Sequence, residues 1–169
     1  MKRDALVKIF DLYSQAIYNY AVRLCNDSVM ADYIVGDVFA KLLEQLSAGR
    51  GPNENLRSYL YEMAYHLVVD EARSSKRGAP LEDAEVFLRP EKYSTPSSVE
   101  NRLMYETILR AIRNDLTDDQ RHVIVLRFLE GFSLQETASI IGKNLGNVKV
   151  IQNRAIAALR KAVENQVVE

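Results

Sequence analysis

Four basic residues and no acidic one lie between Leu145 and Lys161, and they recur with helical spacing. At about 100° per residue, Lys149, Val150, Asn153, Arg154, Ala157, Arg160 and Lys161 fall on one side of a helix. Val148, Ile151, Ala155, Ile156, Leu159 and Ala162 fall on the other. A helix divided in this way can bury its apolar side and turn ammonium, guanidinium and amide donors toward a polyanion. The chemistry it suits is recognition, with no bond made or broken. The preceding residues supply the partner such a helix needs. Ser133 and Glu136 have the spacing of a capping box, in which each side chain satisfies an orphan donor at a helix start. Leu134 to Ile141 carries that helix to Gly142, the residue type best suited to a left-handed cap. Asn144 is placed to cap the next helix, and small Ala138 and Gly142 allow close approach. The pair has the form of a helix-turn-helix, whose second helix enters a DNA major groove. A basic amphipathic hairpin that only packs against a neighbour would show the same local pattern.

Other chemistries find no residues to carry them. The sequence has no phosphate-binding glycine loop, no HExxH and no serine-centred elbow. His66 and His122 stand alone beside helical core positions, and the carboxylates are scattered as on ordinary helix surfaces. The single cysteine, Cys25, excludes an internal disulfide, and no Cys/His spacing fits zinc. Its place on an apolar helical face makes it a buried, inert thiol. The expectation is a protein that is not an enzyme and uses neither metal nor cofactor. The 22 Lys and Arg against 23 Asp and Glu leave a formal charge of −1, so any nucleic-acid binding must be local. No apolar run approaches the roughly 18–20 residues that span a bilayer. Asp4, Lys8 and Asp11 interrupt the N-terminus, which therefore lacks a signal-peptide core. A soluble cytoplasmic protein without membrane insertion is expected.

The elements that position the basic helix are helices as well. Leu6, Ile9, Phe10, Tyr13, Ile17, Tyr20, Ala21 and Leu24 recur at helical intervals. Asn26, Asp27 and Ser28 interrupt them and offer caps for a second helix, Val29 to Leu46, with Ile34, Val35, Val38, Leu42 and Leu46 inward. Gly36 lies in its middle. A loop containing GRGPNEN separates it from a third helix, Leu56 to Arg73, whose core face is Leu60, Met63, Ala64, Leu67, Val68 and Ala72. Tyr59, Glu62, His66, Asp70 and Arg73 point the other way. From Lys76 to about Pro96 periodicity disappears, and residues 78–100 carry five acids, as in a linker. A helix with a capping box at Ser97 and Glu100 then runs to Asn114. Thr117 and Gln120 repeat the device ahead of a helix that Val123 to Leu129 make apolar nearly all round. The fold class is all-α: a helical domain at 1–75, an acidic linker at 76–98, and a four-helix domain at 99–169 containing the helix-turn-helix.

In this order the parts resemble a known family. LTDDQRHVIVLRFLEGFSLQETASIIGKNLGNVKV resembles the promoter-reading domain of bacterial sigma factors. ADYIVGDVFAKLLEQL, followed by NLRSYLYEMAYHLVVDEAR, is similar to their polymerase-binding and −10-reading domain. Two such domains and a linker, covering residues 5 to 163, match the extracytoplasmic-function (ECF) group. The resemblance implies an initiation factor that binds core RNA polymerase, directs it to promoter DNA and assists opening. It also implies an anti-sigma factor as inhibitory partner.

The resemblance assigns residues too. Asn147, Lys149, Val150, Asn153 and Arg154 stand where the family reads the −35 element. Lys and Arg suit guanine edges and phosphates, and Asn can pair with adenine. Asn147, at the helix start, suits a phosphate. Tyr59, Tyr61 and His66 stand where unpaired −10 bases are captured, with Arg73, Lys76 and Arg77 for the backbone. Asp32, Tyr33, Asp37, Phe39 and Lys41 match the helix that docks on polymerase. Some positions depart from the family pattern: Tyr59 replaces a common Trp, Glu62 and Tyr65 replace basic residues, Tyr33 and Gly36 replace an acid and Gln, and Ile151 replaces Arg. A linker of about 24 residues reaches at most roughly 80 Å, enough for two elements about two DNA turns, roughly 70 Å, apart. A stand-alone DNA-binding regulator and a helical protein adaptor are the competing readings.

Overall fold

In the computed structural model the chain divides into two compact units, Met1–Pro90 and Glu91–Glu169, each with its own core. The structure describes residues 2–53, 55–75 and 99–167. Among them every regular element is helical, and the chain is all-α. The expected acidic linker, the capping box at Ser97, and Lys76 and Arg77 lie outside the described residues.

The first unit packs α1 (Lys2–Cys25), α2 (Ser28–Ser47) and α3 (Leu56–Ser75) against one another. The apolar stripe of α1 is buried only over its second half, where Ile17, Tyr20, Ala21 and Val22 are sealed. Ile34, Val38 and Leu42 of α2 and Leu60, Ala64 and Val68 of α3 complete that core. Asp27 begins α2 by accepting hydrogen bonds from the Val29 and Met30 amides at 2.9 and 3.1 Å. Asn55 begins α3 in the same manner, its side-chain oxygen 3.1 Å from the Ser58 amide.

Two residues expected on working surfaces belong to this core. Tyr61 is fully buried, edge-on to Tyr20 with ring centroids 5.1 Å apart. Phe39 is buried against Phe10, with centroids 4.9 Å apart. The reason is angular. Both lie one position from a residue of the apolar stripe, and with three helices in contact the buried arc is wide enough to take them in. Cys25 is largely withdrawn from water, and burial, reinforced by the Glu71 and Asp27 carboxylates, pushes its thiol up to about 12.

The second unit contains α4 (Val99–Asn114), α5 (Asp118–Ile124), α6 (Leu134–Ile141) and α7 (Leu145–Val167). The α4–α5 junction is held by Arg121. Its guanidinium donates to the Ile112, Arg113 and Leu116 carbonyls at 3.0, 2.9 and 3.0 Å and to Asp118 at 3.0 Å. The Ile112 and Arg113 carbonyls are among the orphan acceptors of the α4 end, and Leu116 lies in the turn that follows, so one side chain closes α4 and ties it to the start of α5. The capping box predicted at Thr117 and Gln120 is present in both directions, at 3.1 and 3.3 Å.

The apolar helix after it does not stay regular. Val125–Leu129 widens into a π-helical turn, in which the Glu130 amide donates to the Val125 carbonyl at 2.9 Å. Phe132 folds back to donate to the Leu126 carbonyl at 2.9 Å and is fully buried. Gly131 permits that reversal with φ 75°. Phe128, expected in the core, is turned out to 54% exposure. His122 is buried, and loss of hydration lowers its pKa to about 4.

Candidate nucleic-acid interface

Two capping devices set the helix-turn-helix. The Glu136 amide donates to the Ser133 hydroxyl at 3.0 Å, and the Ser133 amide donates to the Glu136 carboxylate at 3.0 Å. Gly142 ends α6 in the left-handed conformation, φ 68° and ψ 33°, as its position required. Asn144 then starts α7 by accepting from the Asn147 amide at 2.8 Å. The turn between them is tied back to α5 by Lys143, 3.5 Å from Asp119.

Burial divides α7 where periodicity divides it. Val148 and Ala155 are fully buried, and Ile151, Ile156, Leu159 and Ala162 are partly covered. Asn147, Lys149, Val150, Asn153, Arg154, Ala157, Arg160 and Lys161 are all exposed. The five residues expected at the upstream element therefore share one open surface of hydrogen-bond donors around the half-exposed Val150 side chain. Lys149 and Arg154 are the charges nearest the start of the helix.

The opposite side of α7 forms part of a feature the sequence reading missed. Ile108, Ile112, Phe128, Leu129, Ile156 and Leu159 line an apolar groove of about 550 Å³. Exposed Leu103 and Met104 of α4 extend the apolar surface toward the N-terminus of that helix. The groove's signal in the sequence was the surplus of apolar residues on a helix that a small unit cannot surround.

The first unit brings together only part of the expected set. On α3, His66 and Arg73 are exposed and Tyr59 is half-buried, so these three are available to a strand. Glu62 and Asp70 are exposed on the same helix, and Glu62 lies 3.9 Å from His66. Tyr61 faces inward, with the Arg57 guanidinium 5.2 Å from its ring centre. On α2, Asp32, Tyr33 and Lys41 are exposed, and Asp37 pairs with Lys41 at 3.1 Å. Phe39 lies behind them.

A helical unit followed by a helix-turn-helix unit with an open basic reading helix defines a DNA-recognition protein. Two family models match it in order: Sigma-70 region 2 over residues 9–78 and Sigma-70 region 4 over residues 114–161. The chain is 29% identical to the ECF RNA polymerase sigma factor BldN of Streptomyces coelicolor over 94% of its own length. It spans only 60% of that relative. It is 28% identical to the RNA polymerase sigma factor YlaC of Bacillus subtilis, covering 94% of this chain and 92% of the relative. The fold is that of the Bartonella quintana sigma factor RpoE, crystallised with the anti-sigma factor NepR. That likeness has a TM-score of 0.72 at 23% identity and covers 93% of this chain and 95% of RpoE. The chain belongs to the ECF group of the sigma-70 family, whose members are non-enzymatic transcription initiation factors. No helix among the described residues is long and apolar enough to cross a membrane.

Proposed function

We propose that this chain binds core RNA polymerase in the cytoplasm and directs it to promoters through α7. Asn147, Lys149, Val150, Asn153 and Arg154 meet the upstream (−35) element. Arg154 and Lys149 serve guanine edges or phosphates, Asn153 serves adenine, and Val150 can meet a thymine methyl. Tyr59 and His66, backed by Arg73 and by Lys76 and Arg77, receive the opened −10 strand, each stacked base being worth about 1–3 kcal/mol. The α2 surface of Asp32, Tyr33 and Lys41, with Asp37 held by its ion pair, docks on polymerase. Residues 76–98 join the two DNA-reading domains, 1–75 and 99–169. By likeness to RpoE with NepR, an anti-sigma protein holds the free chain inactive. The observation that carries the reading is the match between the basic, acid-free stretch Leu145–Lys161 of α7 and the face left open by packing.

The test is run-off transcription from a genomic fragment library with core polymerase, with and without this protein. New discrete starts sharing two upstream elements are expected, and Arg154→Ala should weaken those starts. Specific binding to duplex DNA by the protein alone, with no new starts, would favour the stand-alone regulator instead.

A further inference from the structure

One part-buried linkage reaches α7 from outside the helix-turn-helix. Arg127 sits in the π-helical turn that follows α5, two residues after the buried Val125 that opens it. Its Nε donates to Gln152 Oε1 of α7 at 3.0 Å, and its Nη1 donates to the Phe132 carbonyl at 2.7 Å. The guanidinium also lies 5.4 Å from the Phe128 ring centre. One planar group thus joins the end of α5, the loop that leads into α6, and the middle of α7. Gln152 adjoins Asn153 and lies between Lys149 and Arg154 in the sequence.

We infer that Arg127 is a positioning residue that sets the rotation of α7 about its own axis, and with it which base edges Lys149, Asn153 and Arg154 reach. This rests on the proposed reading of the upstream element by α7. The covered face of α7 packs on α4, α5 and α6, with Val148 and Ala155 fully buried and Ile151, Ile156, Leu159 and Ala162 partly covered, and the Arg127–Gln152 bond adds a directional restraint to that contact. Side-chain tips lie about 6 Å from a helix axis, so a rotation of about 10° displaces them by about 1 Å. Hydrogen bonds to base edges hold over a donor–acceptor window of only about 0.5 Å. The Nη1–Phe132 bond fixes the guanidinium, and the Nε–Gln152 bond ties α7 to it, so together they limit that rotation. Lysine in place of Arg127 keeps the charge but cannot span both acceptors in a fixed fork. The π-helical turn displaces Arg127 from the regular helical path, and such turns mark functional positions.

The experiment is run-off transcription with core polymerase on a promoter recovered as above and on copies carrying single base-pair changes in its upstream element. The readout is the ratio of transcripts from the original and changed promoters, measured beside the thermal midpoint of each full-length variant. Arg127→Lys and Gln152→Leu should each lower the preference for the original bases about tenfold. The double variant should be no worse than either single one, and Gln152→Glu, which keeps the acceptor, should retain the preference. A merely structural role would lower the midpoint and total transcript while leaving the ratio unchanged, and that result overturns the inference. Independent, additive effects of the two substitutions would also overturn it. Arg154→Ala is the control. If it changes the ratio while Arg127→Lys does not, only the positioning role fails. If it leaves the ratio unchanged, the reading face itself is wrong and the inference falls with it.

Discussion

Tyr61 gives the sharpest separation between an aromatic that builds the fold and one that meets DNA. Its side chain is fully buried, edge-on to Tyr20 at 5.1 Å. Replacing it by alanine deletes a ring from a sealed site, a change that costs about 3–5 kcal/mol. The lost Tyr20 pairing accounts for roughly 0.5–1.5 kcal/mol of that, and the Arg57 contact for about 0.5–1 kcal/mol more. A three-helix unit of this size has a total stability of roughly 4–11 kcal/mol, so a large share would go. His66, whose side chain is 64% exposed, should behave oppositely. His66→Ala leaves stability within about 0.5 kcal/mol and acts only on promoter opening.

Native-state amide exchange reads the two units separately. Tyr61→Ala should raise exchange across the core amides of α1, α2 and α3 by roughly 100-fold or more, while α4 to α7 keep wild-type protection. His66→Ala should leave every helix unchanged and slow open-complex formation. Tyr61→Ala with native protection but failed promoter opening would refute the reasoning, because the ring would then act by leaving the core to stack on a base.

Two further predictions come from buried titratable groups. The folded pKa of His122, about 4, lies below its ordinary 6.5. The unfolded chain therefore takes up the proton first, and stability should be full above pH 6.5 and fall by about 3 kcal/mol as pH drops to 4. Urea titrations of wild type and His122→Gln across this range should diverge, and parallel curves would contradict the assignment. Cys25, raised from 9.0 to about 12, should react with a thiol reagent at pH 8 about 1,000-fold more slowly than a free thiol. Full reactivity should return in denaturant, and rapid labelling of the native protein would show the thiol to be accessible.

The parts of this fold legible in the sequence are those written in short-range chemistry. A capping box involves two side chains three residues apart, so Ser133 with Glu136 and Thr117 with Gln120 could be placed from the sequence, as could Gly142 at a left-handed turn. The outward face of α7 was equally plain, because a helix crossing one side of a small unit obeys a simple angular rule. Depth was harder. Tyr59, Tyr61 and Tyr65 are one residue type on one helix, and only the third helix in contact decides that Tyr61 is sealed and Tyr59 is not. The π-helical turn was invisible for a related reason. Val123 to Leu129 reads as a continuous apolar helix, and the break arises because Phe132 must enter the core and pulls the chain back at Gly131. Arg127, a lone cation within that apolar run, acquired its partners only through that break.

The charge distribution on the two surfaces carries the proposed reading one step further. Between Leu145 and Lys161 there are four basic residues and no acid, whereas Leu56–Ser75 holds Glu62, Asp70 and Glu71 against Arg57 and Arg73. Arg57 is half-buried, with its guanidinium 5.2 Å from the Tyr61 ring centre. The exposed surface of α3 therefore adds little net charge to Arg73, Lys76 and Arg77, and its base contacts depend on stacking by Tyr59 and His66. The cations not offset by neighbouring acids lie between Leu145 and Lys161. Phosphate contacts release counterions and weaken steeply with salt, whereas stacking does not. On this reading, added salt acts most steeply on the docking of the upstream duplex and less steeply on the capture of the opened strand. Substitutions at Lys149 or Arg154 should flatten the salt dependence of promoter binding, and substitutions at Tyr59 or His66 should leave its slope alone.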